Sequence, residues 1–420
     1  MLKIFTPTTN RWLLKLCLVG TFACQQNIQQ EAITPATPNL VSLQEAVSAA
    51  QHSPTSAFVQ QLLKHKAKQH NTSDVVVVPN QAHPAFYIVN YQEGGYVILA
   101  ADRRVEPVLA YAETGHFQKT NKLPQGLAVW LGENYRNMQH LQQLANLPVP
   151  RVVAKQWQEL LAPSSQDEVA TAKAGSPVSR PAPPDPGCQD YSYTTTAGPL
   201  LATAWGQGCS YNDFCDIGTY NCGHVPTGCV ATAMAQIMYH FKKPTYFAWA
   251  SMPTTSGSSA VANLMHEAGL SVGMQYSDTG SSAPTANIGS ALTGTYGYQS
   301  VEYEDYDYGK MRSNIDAGRP IVLQAFTDYS TTGMWWWEET HPAGEGHAWV
   351  CDGYQSTTWQ DCSCGCGGSM AMLHMNWGWN ELFASNNYNG WYRENDWTVV
   401  RTDGTFHWQY FKKMIFNIRP

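Results

Sequence analysis

No cysteine occurs between positions 25 and 187 of this 420-residue chain, although nine follow from Cys188 onward. Charge is also scarce: 14% of residues are Asp, Glu, Lys or Arg, and the net charge is −7. Without a basic excess the chain lacks the electrostatic footprint of a nucleic-acid binder. Beyond the first 24 residues, no run reaches the ~18 apolar residues that cross a bilayer, so no transmembrane helix is expected in the body of the chain. There is no internal repeat. The one dense cysteine run after the histidine strand described below, "DCSCGCGG", has C-x-C-x-C spacing, which suits tetrahedral zinc poorly. Neither a metal nor an organic cofactor is expected.

What is present is a globular composition, 43% hydrophobic with 15 Trp and 22 Tyr. The length suits two domains and a linker. Residues 1–24 read as an export signal: Lys3, Arg11 and Lys15 precede "LCLVGTFAC", a short apolar run ending at Ala23 and Cys24. A cysteine after small residues also fits a bacterial lipid anchor at Cys24, although Thr21 and Phe22 suit that pattern poorly. Both readings place the protein outside the cytoplasm, secreted or in the cell envelope. Oxidising surroundings should pair most of the nine later cysteines, and an odd number leaves at least one thiol free.

Residues 30–160 read as a small α+β domain. Ser42 and Glu45 are spaced as a capping box before "LQEAVSAAQ". "VVVV" (75–78), "AFYIVNY" (85–91) and "GYVILAA" (95–101) read as strands, with a turn at Glu93-Gly94-Gly95. Leu127, Leu131, Tyr135 and Met138 give helical spacing over 124–147. Residues 161–187 are Pro- and Ser-rich and form a linker open to proteolysis. Residues 188–420, rich in Gly, Trp and Tyr, hold the candidate chemistry.

"HVPTGCVATAMAQIMYHF" (224–241) places Cys229 at the start of a helix whose buried face is Val230, Met234, Ile237, Met238 and Phe241. Thr227 is expected to cap it. At a helix N-terminus the dipole and bare N–H groups favour an anion and lower a thiol pKa. Two readings stand at this point: a structural cysteine or a nucleophile. A nucleophile needs a base and an oxyanion donor. His347 in "GEGHAWVCDGY" opens a strand after two glycines and is the base candidate; His224, His240 and His266 are less well placed. Gln207 in "AWGQGC" could donate to an oxyanion. Asn376 and Trp377 in "LHMNWGWN" could orient and shield the imidazole.

Taken together, "AWGQ", "YN" (211–212), "PTGCVATAMAQIMYHFKKP", "GHAWVCDGY", "LHMNWGWN" and "NGWYR" resemble the streptopain family of papain-like cysteine peptidases, in the same order over 198–420. "GGYVILAADRRVEPVLAYAETGHF" (94–117) resembles the inhibitory propeptide of that family. The papain signature C-G-S-C-W is absent. The resemblance implies an α+β fold with a helical lobe carrying Cys229 and an antiparallel sheet lobe carrying His347. It also implies a prodomain that inhibits its own enzyme, and cleavage in the linker. It assigns Cys229 as nucleophile, His347 as general base, Gln207 to the oxyanion hole, and Asn376 and Trp377 to positioning the histidine. Gly346 would lie against substrate, and "MQYSDTGSSA" (274–283) resembles a substrate-side loop with Thr279, Ser281 and Ser282. Two cysteine-rich insertions depart from the pattern: Cys209, Cys215 and Cys222 before the nucleophile, and Cys362, Cys364 and Cys366 after the histidine strand. Disulfides are expected in both, with Cys351 as either a fourth-pair member or a buried thiol. "MWWWEE" (334–339) reads as part core, part cleft wall.

The expected activity is hydrolysis of protein or peptide substrates through a thiolate–imidazolium pair and a thioester. An acyltransferase or transpeptidase on the same fold is one alternative, and a non-catalytic, disulfide-rich binding protein is another.

Overall fold

The computed structural model describes residues 39–51, 71–119, 123–144, 147–161, 188–189, 191–326, 346–362, 366–380, 387–394, 398–401, 404–407 and 413–420. The export signal with Cys24, linker residues 162–187, the 334–339 segment and Cys364 lie outside the described residues, as does the Cys366 side chain.

The capping box forms as expected. The Ser42 backbone N–H donates to Glu45 Oε2 at 2.9 Å and the Glu45 N–H to Ser42 Oγ at 3.2 Å, opening α1 (Leu43–Gln51). Strands β1 (Thr72–Val78), β2 (Phe86–Tyr91), β3 (Tyr96–Ala100) and β4 (Val108–Ala112) form an antiparallel meander. Gly95 takes φ 91°, and a Cβ there would stand 2.6 Å from the Ala112 carbonyl oxygen, so the β2–β3 turn accepts only glycine. Helices α2 (Gln125–Gln143) and α3 (Arg151–Leu161) follow. Leu161, counted with the linker from sequence, belongs to α3.

The second half contributes β5 (Tyr191–Ala197), β6 (Ile217–Asn221), α4 (Cys229–Phe241) and α5 (Ser259–Val272). Next come β7 (Ser300–Asp305), α6 (Tyr308–Asp316), β8 (Ile321–Phe326), β9 (Gly346–Asp361) and β10 (Cys366–Asn376). Strands β11 (Gly390–Arg393), β12 (Thr398–Arg401), β13 (Gly404–His407) and β14 (Lys413–Arg419) complete it. Strand β9 runs well past residue 354, where its sequence pattern weakens. Its first half pairs with β8, from Phe326↔Gly346 to Ile321↔Cys351, and its second half with β5, from Ala197↔Tyr354 to Tyr191↔Gln360. The Cys188–Cys362 disulfide ties the two chain ends of that extension together.

The two halves do not form separate sheets. One 11-stranded sheet runs β1-β2-β3-β4-β11-β10-β9-β8-β14-β7, with β5 added to β9. The junction is the β4–β11 pair, Trp391↔Tyr111 and Tyr392↔Ala110. It is reinforced by the Tyr96 and Tyr392 hydroxyls, 2.7 Å apart, by Trp130 Nε1 donating to the Arg393 carbonyl at 3.2 Å, and by an Arg393–Glu106 ion pair at 2.7 Å. Residues 39–420 consequently pack as one unit. The sheet separates two cores. One joins α2, α3 and β1–β4 to Trp349, Cys351, Met375, Trp377 and Tyr392. The other joins α4 and α5 to Val322, Ala348, Val350 and Ile415. Successive side chains of a strand point to opposite faces. Strand β9 therefore sends Trp349 and Cys351 to the first core and Ala348 and Val350 to the second.

Candidate active site

Cys229 is the first residue of α4, as its sequence pattern requires. The cap differs from expectation. Gly228, not Thr227, is the N-cap, with φ 85° and ψ 144° and no side-chain bond to the helix. A Cβ on Gly228 would stand 2.7 Å from Met274 Sδ and 2.9 Å from the Ser281 carbonyl oxygen. Positive φ and the crowded approach both demand glycine. Thr227 instead shares a hydrogen bond with the Thr232 hydroxyl at 2.9 Å. Without a capping oxygen, the first-turn N–H groups of α4 remain open to an anion.

The fold brings the start of β9 to this sulfur. The Ala348 N–H donates to Cys229 Sγ at 3.5 Å, so the residue after His347 touches the nucleophile candidate. His347 itself is buried, and its ring lies nearly parallel to Trp349, 6.1 Å between centroids. It therefore occupies the face of β9 that carries Trp349, while Ala348 faces α4. A Cβ on Gly126 of α2 would stand 3.0 Å from His347 Cδ2 and 2.8 Å from both Cε3 and Cζ3 of Trp377. Helix α2 thus presses its backbone against the imidazole and the indole together.

This placement corrects the expectation of a lowered thiol pKa in the chain as it stands. Burial pushes the Cys229 thiol above its ordinary value of 9.0, and only the N–H groups of Ala348, Val230 and Cys229 act against it. Cys229 is half-buried as a residue. An imidazolium is what would lower the value further, and the imidazole is held on the opposite face of β9.

Gln207 is buried, and its carbonyl accepts the Thr227 N–H at 3.1 Å, so its backbone is fixed two residues from Cys229. Asn376 is committed away from the histidine: its Nδ2 donates to the Thr203 carbonyl at 2.6 Å, and its Oδ1 accepts from Gln236 Nε2 at 3.2 Å and the Gly378 N–H at 3.3 Å. These bonds lock α4 to the end of β10. Trp377 is fully buried, its Nε1 donating to the Tyr388 carbonyl at 3.1 Å and its ring 5.2 Å from Trp349, so it stands behind the His347–Trp349 stack. Gly346 is exposed at the first position of β9. In the 274–283 loop, the Ser281 hydroxyl donates to the Pro226 carbonyl at 2.6 Å and backs the approach to Cys229, whereas Thr279 and Ser282 are exposed.

The cysteines only partly follow expectation. Cys209–Cys222 and Cys188–Cys362 are disulfides, while Cys215, Cys229 and Cys351 are free among the described residues. Cys215 is thus not the bridged member of its insertion. It is buried, and loss of water pushes its thiol up to about 11. Cys351 is the buried core thiol, also raised by burial. No group of three or more possible metal ligands occurs among the described residues.

The sequence profile of the Peptidase C10 family matches residues 205–248 and 245–392, and that of the Spi protease inhibitor matches residues 38–138. The chain belongs to the peptidase C10, or streptopain, family. Among its C10-family relatives is the thiol protease/hemagglutinin PrtT of Porphyromonas gingivalis, 28% identical over 346 residues, covering 72% of this chain and 33% of that protein. The chain thus spans about a third of that relative's length. Streptopain of Streptococcus pyogenes is 24% identical over 317 residues, covering 70% of this chain and 71% of that one. A prointerpain A fragment from Prevotella intermedia shares the fold, with a TM-score of 0.51 and 19% identity, over 83% of this chain and 99% of the fragment. Membership of a cysteine peptidase family with an inhibitor domain sets aside the non-catalytic binding reading.

Within this C10 chain the residues missed by sequence reasoning are mostly those that act by contact. Gly126 is the clearest. A glycine inside an amphipathic helix pattern costs up to ~1 kcal/mol relative to alanine, and that local cost was the available signal of a close approach. Gln236 and Thr203, which hold Asn376, carry no such mark, because a polar residue on a helix pattern usually faces water.

Proposed function

We propose that this chain is the latent precursor of an exported cysteine endopeptidase, in which residues 30–160 inhibit, residues 161–187 are cut, and residues 188–420 carry the activity. The observation that carries the reading is the joint packing of Gly126 against His347 and Trp377, with the Cys229 thiol, raised by burial, on the other side of β9. Removing α2 frees the imidazole to turn toward the sulfur. His347 then takes the Cys229 proton, and the thiolate attacks the substrate carbonyl carbon. The Cys229 N–H and the Gln207 carboxamide hold the resulting oxyanion. The imidazolium protonates the leaving amine, and a water deprotonated by His347 hydrolyses the thioester. The Cys188–Cys362 disulfide and the β5–β9 ladder keep the new N-terminus attached after the cut. Export by residues 1–24, with or without lipid at Cys24, completes the reading.

Incubation with an electrophilic peptide, followed by mass spectrometry, tests it. In the uncut chain, Cys229 alkylation is expected to be slow and to keep rising above pH 9.0, because a raised thiol pKa withholds thiolate until the solution passes it. In the shortened form, labelling should be fast at neutral pH and confined to Cys229. Labelling of the uncut chain that levels off below neutrality would mean the thiolate is already paired, and would sink the latency. Gln207→Ala should lower kcat of the shortened form by about 10²–10³-fold with KM little changed. Steady-state kinetics check this.

A further inference from the structure

We propose that the disulfide-closed loop between Cys209 and Cys222 is a second contact surface for polypeptide substrate, with Phe214 and Ile217 gripping an apolar segment several residues from the scissile bond. This rests on the peptidase reading above.

The loop is rigid rather than loose. Its staple closes a sequence separation of 13. Ile217 of β6 bridges to His224, the Val225 N–H donates to the Asp216 carbonyl at 3.0 Å, and the Gly218 N–H to the Gly223 carbonyl at 3.0 Å. Asn212 Nδ2 donates to the Val225 carbonyl at 3.2 Å, and the His224 ring Nδ1 lies 2.8 Å from the Cys215 carbonyl oxygen. The Thr219 N–H donates to Asp278 on the neighbouring 274–283 loop. Cys215, buried and with its thiol pushed up to about 11, supplies little thiolate to attack the staple.

A rigid, well-bonded loop would ordinarily turn its apolar side chains inward. Here Ile217 is 90% exposed and Phe214 50% exposed, and Ile217 is the most exposed large apolar side chain among the described residues. Holding both out in water has no benefit to the fold, but it suits a surface that meets another apolar chain.

The loop is continuous with the catalytic machinery. Gln207 precedes its first cysteine, Cys229 follows its last, and the Thr227 N–H joins the Gln207 carbonyl across its base at 3.1 Å. His224 is five residues before Cys229, so with one strand spacing added Ile217 lies within about 23 Å of the nucleophile. An extended substrate covers that in about seven residues. Asp213 and Asp216 are exposed next to Phe214 and Ile217 in the chain, and exposed Asp278 is tied to Thr219, so an apolar segment with neutral or basic neighbours fits and an acidic one is repelled.

The test uses the matured enzyme made from the full chain, with Ile217→Ser, Phe214→Ser and a Cys209→Ser/Cys222→Ser double variant. Substrates are a four-residue reporter peptide and longer peptides bearing an apolar–basic or apolar–acidic segment up to eight residues from the cleaved bond. Ile217→Ser should raise KM for the apolar–basic long peptide about tenfold, leave kcat alone, and leave the four-residue peptide unchanged. The double variant should show the same split, and the wild type should prefer the basic segment. An unchanged KM for the long peptide in Ile217→Ser overturns the proposal. So does an equal loss on both peptide lengths, or an Ile217→Ser effect confined to dimer formation in sedimentation. If the wild type hydrolysed neither substrate, the peptidase reading itself would fall, which is a different result.

Discussion

Replacing Cys229 by alanine is expected to leave a folded but inert chain, with hydrolysis reduced on the order of 10⁴-fold or more. In the proposed mechanism this sulfur forms the acyl bond, and the other free cysteines among the described residues are poor substitutes: Cys215 and Cys351 are buried with their thiols raised. The fold should tolerate the change. Alanine is the best helix former, Gly228 keeps the strained approach, and the one hydrogen bond lost is the Ala348 N–H to sulfur. The expected stability change is within about 1 kcal/mol. Peptide hydrolysis and thermal unfolding followed by circular dichroism check the two halves of the statement. Hydrolysis within tenfold of the parent would remove Cys229 from the mechanism. The variant should also persist as full-length chain if maturation is self-cleavage.

The second large effect is expected from a residue far from Cys229 in sequence. Gly126→Leu should wake the precursor. Even a Cβ at this position would lie inside contact distance of Trp377 and at its limit with His347. Leucine adds three further carbons, and its neighbours there are a fully buried indole, an imidazole on a central strand and the α2 backbone itself. Relief comes from moving α2 off the sheet, because β9 and β10 are held on both edges. Overpacking of this kind costs about 1–3 kcal/mol, which raises the open population roughly 5- to 150-fold. Leucine is a better helix former than glycine, so melting of α2 is not the cause. Self-processing and Cys229 labelling of the uncut chain should both accelerate, while the matured enzyme, which lacks residue 126, keeps the parent's kcat and KM. A precursor that matures at the parent rate with Gly126→Leu would show that α2 does not hold the latent state.

These two experiments probe different depths of what could be read from residues. Cys229 was legible as a nucleophile candidate because it stands at a boundary where two patterns meet, a glycine-ended loop and a strongly periodic helix, and the family resemblance supplied the role. The capping box at Ser42 and Glu45 and the Gly94-Gly95 turn were legible for the same reason: each is settled within a few residues by hydrogen-bond reach or by φ. Asn376 shows the limit. Its neighbours suggest a role toward the histidine, but its carboxamide bonds to Thr203 and Gln236, over a hundred residues away in sequence, and nothing local announces those partners. Pairing within the cysteine insertions was equally hidden. Three cysteines lie within 14 residues, and only the fold decides that Cys215 is the one turned inward.

The amino-acid order alone determined the capping box and the strands of the first half, the helix that presents Cys229 and the family to which the chain belongs, since each is encoded by short-range spacing or by a run of matching motifs. The tertiary structure alone decided that β4 pairs with β11, that one sheet serves both halves, and that His347 and Cys229 occupy opposite faces of the same strand. Those facts depend on strand order and on which side of a pleat each side chain falls. Both are set by packing between segments hundreds of residues apart, where no local propensity reaches.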